Sequence, residues 1–265
     1  IEGSLAEGYL ARRLGVAPED FTLVGGLPLT LRFHRALDYF HEGRRLGAGP
    51  ALVAAVQGPG CRAEGGGQIL GVHCTWLAEP GSSQEDGKGR RLWGQDAAGK
   101  PLPVKKMYGR AFGGALRLTP GAETVVVGEG IETTLALWMA AAEAAAAWEE
   151  APLAGFWAAL SLNNLAGPGA EEPKSERRRH PERRRADGRP LWLPSVRPDL
   201  ARPGLWLPEV CETLVIAEDN DNRDPLAAAV LYARAEARAR AEGRRVRRAR
   251  PPRGLDFCDL YRRAA

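Results

Sequence analysis

Two short acidic clusters stand where apolar, β-branched runs stop. Val125-Val126-Val127 leads into Gly128-Glu129-Gly130-Ile131-Glu132-Thr133-Thr134, and Leu214-Val215-Ile216-Ala217 leads into Glu218-Asp219-Asn220-Asp221. Each reads as a strand ending in carboxylates, with a helix-spaced segment behind it. In an open parallel sheet, ligands bind in the crevice outside the carboxyl ends of the strands. Carboxylates from two such ends can therefore meet around a hard divalent cation such as Mg²⁺. Asp219 and Asp221 are two apart, so in extended chain both point to one side of the crevice. Glu129 sits between glycines that let backbone and ligand approach closely, and the helix after it turns its positive end toward a bound phosphate. Without a cation, Glu129, Asp219 and Asp221 would repel and raise one another's pKa. The expected chemistry is metal-dependent work on phosphates. A polar turn capping the next helix is the competing reading of Asp219-Asn220-Asp221.

A third acidic element, Gly254-Leu255-Asp256-Phe257-Cys258-Asp259-Leu260, closes the chain. Asp256 there is either a further metal ligand or, like Asp259, the cap of a short terminal helix. Upstream, Lys105-Lys106-Met107-Tyr108-Gly109-Arg110 and Gly113-Gly114-Ala115-Leu116-Arg117 combine cations, glycines and an aromatic. Such a set suits a phosphodiester track, and an ordinary basic hairpin would look the same. His34, His41 and His73 lie in or near apolar strands and read as structural, as do the dispersed tryptophans.

The elements that must position these residues follow from periodicity. Leu5, Tyr9, Leu10 and Leu14 share a helical face that Gly15 terminates. Strand-like pieces follow at Leu29–Phe33, Ala51–Val56 and Gln68–Leu77, with a glycine-dense, hairpin-type connection at Gln57–Gly67. Residues 1–120 are expected to form a smaller mixed α/β region. From residue 121 to 265 strands alternate with helices: Thr124–Val127, a helix from about Ile131 to Trp148, Phe156–Leu160, Thr213–Ala217, a helix from Pro225 to about Ala241, and Arg245–Arg250. That alternation predicts a mainly parallel, doubly wound sheet flanked by helices. Residues 167–204, rich in Pro, Gly, Glu and Arg, interrupt the rhythm and read as a basic insertion, partly disordered.

At 265 residues the chain can bury a sizeable core. No apolar run approaches the roughly 20 residues that span a bilayer, and no secretory signal opens the sequence, so no membrane partner is expected. The start at Ile1 reads as that of a chain whose upstream part is missing. Cys61, Cys74, Cys211 and Cys258 are scattered without a Cys-x-x-Cys pair, which fits reduced thiols in the cytoplasm rather than a zinc ribbon. The net charge of +4 conceals two basic tracts, Arg177–Arg185 and Arg234–Arg253, of a kind that favours a polyanionic partner.

Taken in order along the chain, these residues resemble the Toprim domain, and within it the Toprim primases of phages, plasmids and integrated elements. The resemblance is carried by Glu129-Gly130 after one strand and Asp219-x-Asp221 after another. It also runs through Tyr9-Leu10 with Arg13-Leu14-Gly15, Leu31-Arg32-Phe33-His34, Pro50–Val56, Gly71–Leu77, Gly113–Leu118 and Gly254-x-Asp256-Phe257-x-Asp259. It implies a Toprim-type, Rossmann-like sheet and a primase making short primers on single-stranded DNA from nucleoside triphosphates. Glu129 would be ligand or general acid/base, and Asp219 and Asp221 would hold Mg²⁺ or Mn²⁺. Lys105, Lys106 and Arg110 would contact the template, and a replicative helicase or other replisome protein would be the partner. A Toprim nuclease or nicking enzyme, or a non-catalytic nucleic-acid-binding accessory protein, are the alternatives. The sequence departs from the pattern at Asp224-Pro225, where many Toprim proteins carry glycine three residues after the second aspartate. It departs again at Thr133, where some primases carry an aspartate. No zinc module and no Walker-type loop occurs in these residues.

Overall fold

A computed structural model describes residues 1–59, 68–148 and 154–264. Cys61 and most of the glycine-dense connection lie outside the described residues. Helix α1 spans Leu5–Leu14: Ser4 Oγ accepts from the Glu7 N–H at its start, and Gly15 ends it in the left-handed region. Strands β1 (Leu31–His41), β2 (Arg44–Gln57), β3 (Ile69–Trp76) and β4 (Lys105–Gly109) form an antiparallel sheet in that order. The β1–β2 hairpin is longer than its apolar pieces predict. Its two-residue turn, Glu42-Gly43, has both φ angles positive (48° and 76°), the twist that tight hairpins favour. The extension was hidden because β1 is an edge strand whose side chains are mostly exposed, so no alternation marks it. On the other edge β4 lies very close to β3: a Cβ at Gly71 would come within 2.1 Å of the Tyr108 carbonyl oxygen. At the other end of β4, Lys105 reaches Glu132 in the second half of the molecule.

Strand β5 (Leu116–Arg117) leaves this sheet and joins a second one. The further elements are β6 (Thr124–Gly128), α2 (Ile131–Ala147), β7 (Ala154–Ala158), α3 (Leu162–Ala166), β8 (Arg179–Arg184), β9 (Pro190–Trp192), β10 (Thr213–Ala217), α4 (Pro225–Ala241), β11 (Arg245–Ala249) and α5 (Phe257–Ala264). The second sheet has the order β11-β10-β6-β7-β5 and is parallel except for β5. From β6 the chain crosses through α2 to β7 on one side, and from β10 through α4 to β11 on the other. The winding therefore reverses between β6 and β10, which is a topological switch point. Ile216 lies opposite Val127, so the two acidic segments leave the sheet side by side.

Alternation along these strands divides the core. Val125, Val127, Leu214 and Ile216 pack with Leu165, Tyr232 and Ala235 of α3 and α4 on one face. Val126 and Phe156 turn to the other face, toward Leu135 and Met139 of α2 and Tyr261 of α5. Tyr9, Leu10 and Leu14 of α1 belong to that same cluster, so the N-terminal helix is built into the core of the parallel sheet. Tyr39, Trp76 and Leu102 form a smaller core on the antiparallel sheet, with Trp93 stacked on Tyr39 at 4.2 Å.

The insertion carries the β8–β9 hairpin and is tied to the helical layer by two arginines that the charge pattern had assigned to a polyanion. Arg234 and Arg238 are buried on α4. Arg234 donates to the Ser195 carbonyl at 3.0 Å, and Arg238 donates to the carbonyls of Asp199 (2.7 Å), Arg202 (3.1 Å) and Pro168 (3.2 Å). Buried guanidinium groups need such partners, and irregular backbone supplies spare carbonyls. Much of the remaining tract pairs internally: Arg240 with Glu236, Arg244 with Glu242, Arg245 with Glu212, and Arg248 and Arg250 with Glu218. No helix among the described residues is long and apolar enough to cross a membrane.

Candidate functional site

Glu129, Asp219, Asp221 and Asp256 line one cavity of about 460 Å³ at the switch point. Glu129 directly follows β6, and its backbone is held by the Leu160 N–H donating to its carbonyl at 2.8 Å. Gly128 before it is required by packing, since a Cβ there would meet Thr134 Oγ1 at 2.6 Å. Burial pushes the Glu129 carboxyl up; the Leu162 N–H opposes this and the Asp221 charge adds to it. Asp219 is placed by its own N–H, which donates to the Tyr232 hydroxyl at 2.8 Å, and by Thr133 Oγ1, which donates to its carboxylate at 3.2 Å. Burial, together with the charges of Glu129, Asp256 and Asp221, pushes the Asp219 carboxyl up to about 7.

Asp256 takes the capping role, one of the two readings made of it. Its Oδ1 accepts from the Asp259 N–H at 2.6 Å, capping α5, and it lines the cavity as well. Backbone bonds between Asn220 and Leu255 (3.0 Å) and between Gly254 and Asn220 (2.9 Å) tie this segment to the aspartate loop. Glu218 faces elsewhere: it is buried against Arg248 and Arg250 and anchors β10 to the strand end beside it. Among the described residues, no three His, Cys, Asp or Glu side chains are grouped tightly enough to enclose a metal ion. The donor chemistry nevertheless fits a hard cation, because every candidate ligand is a carboxylate, and the charges of Glu129, Asp256 and Asp221 add to burial in raising Asp219.

Glu132 and His73 are site residues that the sequence did not mark. Glu132, on the first turn of α2, is buried beside the carboxylate cavity. The Tyr9 hydroxyl donates to it at 2.5 Å, and Lys105 Nζ lies 3.0 and 3.2 Å from its two oxygens. Tyr9 and Arg13 are four residues apart on α1 and so share a helical side, but nothing local joins them to Glu132. His73 lines the cavity too, and burial followed by the Lys105 charge lowers its imidazole to about 4, so it is neutral at pH 7. Its apolar strand neighbours led to the expectation of a structural role and gave no sign of this position beside the cavity.

A second cavity of about 570 Å³ shares His73, Lys105 and Leu160 with the first. Leu160, between them, holds a positive φ of 68°, an uncommon conformation for a branched side chain. Lys106, Met107, Arg110 and Phe112 line the second cavity, and Phe112 is 53% exposed. Lys105, Lys106 and Arg110 are thus brought together next to the carboxylates. Lys106 also has an internal role: its ammonium lies 3.9 Å from the Tyr39 ring and donates to the Phe40 carbonyl. Arg117 is placed elsewhere. It is buried, its guanidinium lies 4.4 Å from the Trp157 ring and 4.8 Å from the Trp206 ring, and it donates to the Gly58 carbonyl at 2.6 Å. Packed against both indoles, whose rings stack on each other at 6.1 Å, it serves the core rather than the phosphodiester track expected of it.

Residues 1–118 match the model of a family described as a domain of unknown function (DUF7146). The match includes Tyr9, Arg13, His73, Lys105, Lys106 and Arg110, and it ends before the strand that carries Glu129. No match was found among curated proteins or among solved structures.

Proposed function

We propose that this protein is a Toprim-type, metal-dependent nucleotidyltransferase that synthesises short primers on single-stranded DNA. One observation carries the reading: Glu129 and Asp219-x-Asp221 leave adjacent parallel strands at a switch point and, with Asp256, line a single cavity. Glu129, Asp219, Asp221 and Asp256 would hold Mg²⁺ or Mn²⁺. A cation bound there would activate an attacking hydroxyl and stabilise the departing pyrophosphate. The first turn of α2 lines the same cavity without a side-chain cap, so its N–H groups and positive end suit a phosphate. Lys105 adds an ammonium at the junction of the two cavities. Glu129, whose carboxyl burial pushes up, would take the proton of the attacking hydroxyl. Met107, Phe112 and Arg110 offer the second cavity an apolar and cationic surface for a base and its phosphate.

The test is to incubate the protein with single-stranded template, labelled nucleoside triphosphates and Mg²⁺ or Mn²⁺, beside Asp219→Ala/Asp221→Ala. Primer-length products that vanish in the variant are expected. Template shortened without new product would replace this reading by a nuclease. Template bound with neither product would replace it by an accessory role.

A further inference from the structure

The basic hairpin of the insertion is fastened to the carboxylate loop by the residue at which this chain departs from the Toprim pattern. Asp224 lies three residues after Asp221 and opens α4, its side chain accepting from the Ala227 N–H at 3.0 Å. The same carboxylate receives His180 Nε2 at 3.2 Å and Arg183 Nη1 at 2.5 Å, both from β8. His180 is the single buried residue of that strand. Its Nδ1 accepts the backbone N–H groups of Glu182 (3.2 Å) and Arg183 (2.9 Å), so Nε2 carries the proton and donates to Asp224. A glycine at position 224 could make none of these contacts.

The rest of the hairpin is turned outward. Arg177, Arg178, Arg179, Arg184 and Arg185 are exposed, and Arg179 lies over the partly exposed Trp192 ring at 5.3 Å. A charged loop that only kept the protein dissolved would need no buried histidine and no ion pair to a residue beside the active-site aspartates. A row of exposed guanidinium groups fastened to the loop that follows Asp219 and Asp221 complements a polyanion approaching the cavity.

We infer that the β8–β9 hairpin grips the sugar-phosphate backbone of the nucleic-acid strand leading to the carboxylate cavity, with Asp224 as the residue that positions it. This rests on the proposed reading of the cavity as a site for nucleic-acid chemistry. The occupant is single-stranded nucleic acid, recognised through its phosphates and not its bases.

The experiment measures anisotropy of a labelled single-stranded oligonucleotide with the full chain between 50 and 200 mM salt. Two variants are compared with the parent: Arg178→Ala/Arg184→Ala/Arg185→Ala, whose side chains are exposed, and Asp224→Ser. Serine still caps the helix but is too short to hold both His180 and Arg183. Each phosphate contact with a single strand contributes about 0.7 to the slope of log affinity against log salt, so three lost contacts lower it by about 2. Over that salt range this makes the variant's loss of affinity about 20-fold smaller than the parent's. Asp224→Ser removes a negative charge, so simple charge counting predicts tighter binding, whereas a released hairpin predicts weaker binding and a shallower slope. An unchanged slope in the triple variant overturns the grip, and equal or tighter binding by Asp224→Ser overturns the positioning role. Should the parent make no primers while the triple variant still loses binding, the grip stands and the proposed activity falls.

Discussion

Replacing Glu132 tests the contact that locks the N-terminal region onto the carboxylate cavity. Burial alone would push this carboxyl up, but Lys105, Arg13 and the Tyr9 hydroxyl outweigh it and hold the group well below the usual carboxylate range. Removing one partner of a buried ion pair costs roughly 3–5 kcal/mol. The Lys105 side chain remains 29% exposed and can be rehydrated, so the low end, about 3 kcal/mol, is expected for Glu132→Ala. An unfolding entropy of about 2.1 cal/mol/K per residue over the 265 residues gives a Tm lower by about 5 °C if the chain unfolds as one unit. Glu132→Gln keeps the volume and an acceptor for Tyr9, so about half that loss is expected. The pH dependence has a definite sign. The folded carboxyl is depressed relative to an unfolded value near 4.3, so above that value the pair's contribution is complete, and it is lost as pH falls below it. Differential scanning calorimetry should show a constant Tm gap between parent and Glu132→Gln from pH 8 to about 5, narrowing further down. A Glu132→Ala protein within about 1 °C of the parent at pH 7, or a gap that widens on acidification, would refute the reasoning.

Further outcomes follow from the same geometry. Without metal, Asp219→Asn should raise Tm at pH 8, because a carboxyl pushed up to about 7 is ionised there at a cost; the gain should shrink as pH falls to 5, where the folded group holds its proton. Mg²⁺ affinity by titration calorimetry should fall about tenfold from pH 8 to 6 as protons compete for Asp219, and a flat profile would exclude it as a ligand. Arg117→Lys should lower Tm by about 4 °C, through about 2 kcal/mol of guanidinium packing lost against Trp157 and Trp206, while leaving single-strand affinity unchanged. Phe112→Ala should leave Tm within about 1 °C yet weaken nucleotide or strand binding about fivefold or more, the effect of losing one base-stacking surface.

The regular elements of the second half were readable because their determinants are local. Thr213–Ala217 and Pro225–Ala241 have the predicted bounds, and Leu5–Leu14 likewise: an apolar run marks the strand, Asp224-Pro225 opens the first helix, and an apolar face with a Gly15 stop marks the second. Where the determinant was a partner far along the chain, reading failed. Arg234 and Arg238 look like solvent-facing charges on a basic helix until the carbonyls of Ser195 and Asp199 are brought against them. Helix α3 was missed because it is one short turn, capped by Ser161 Oγ and packed by Leu165, too brief to show a period.

What the amino-acid sequence determined by itself was the chemistry available: carboxylates placed after β-branched runs, and an alternation of strands and helices that closes into a parallel sheet. Both follow from backbone propensity and hydrophobic spacing, which act over a few residues. Only the tertiary structure decided which charges meet. Glu132 lies 123 residues from Tyr9 and Asp219 lies 86 from Thr133, yet each pair shares a hydrogen bond. Arg117 went into the core, Lys105 to the cavity and Asp224 to the hairpin for one reason. A charged side chain takes its role from the dielectric and the partner that packing gives it, and packing joins segments that the linear order keeps apart.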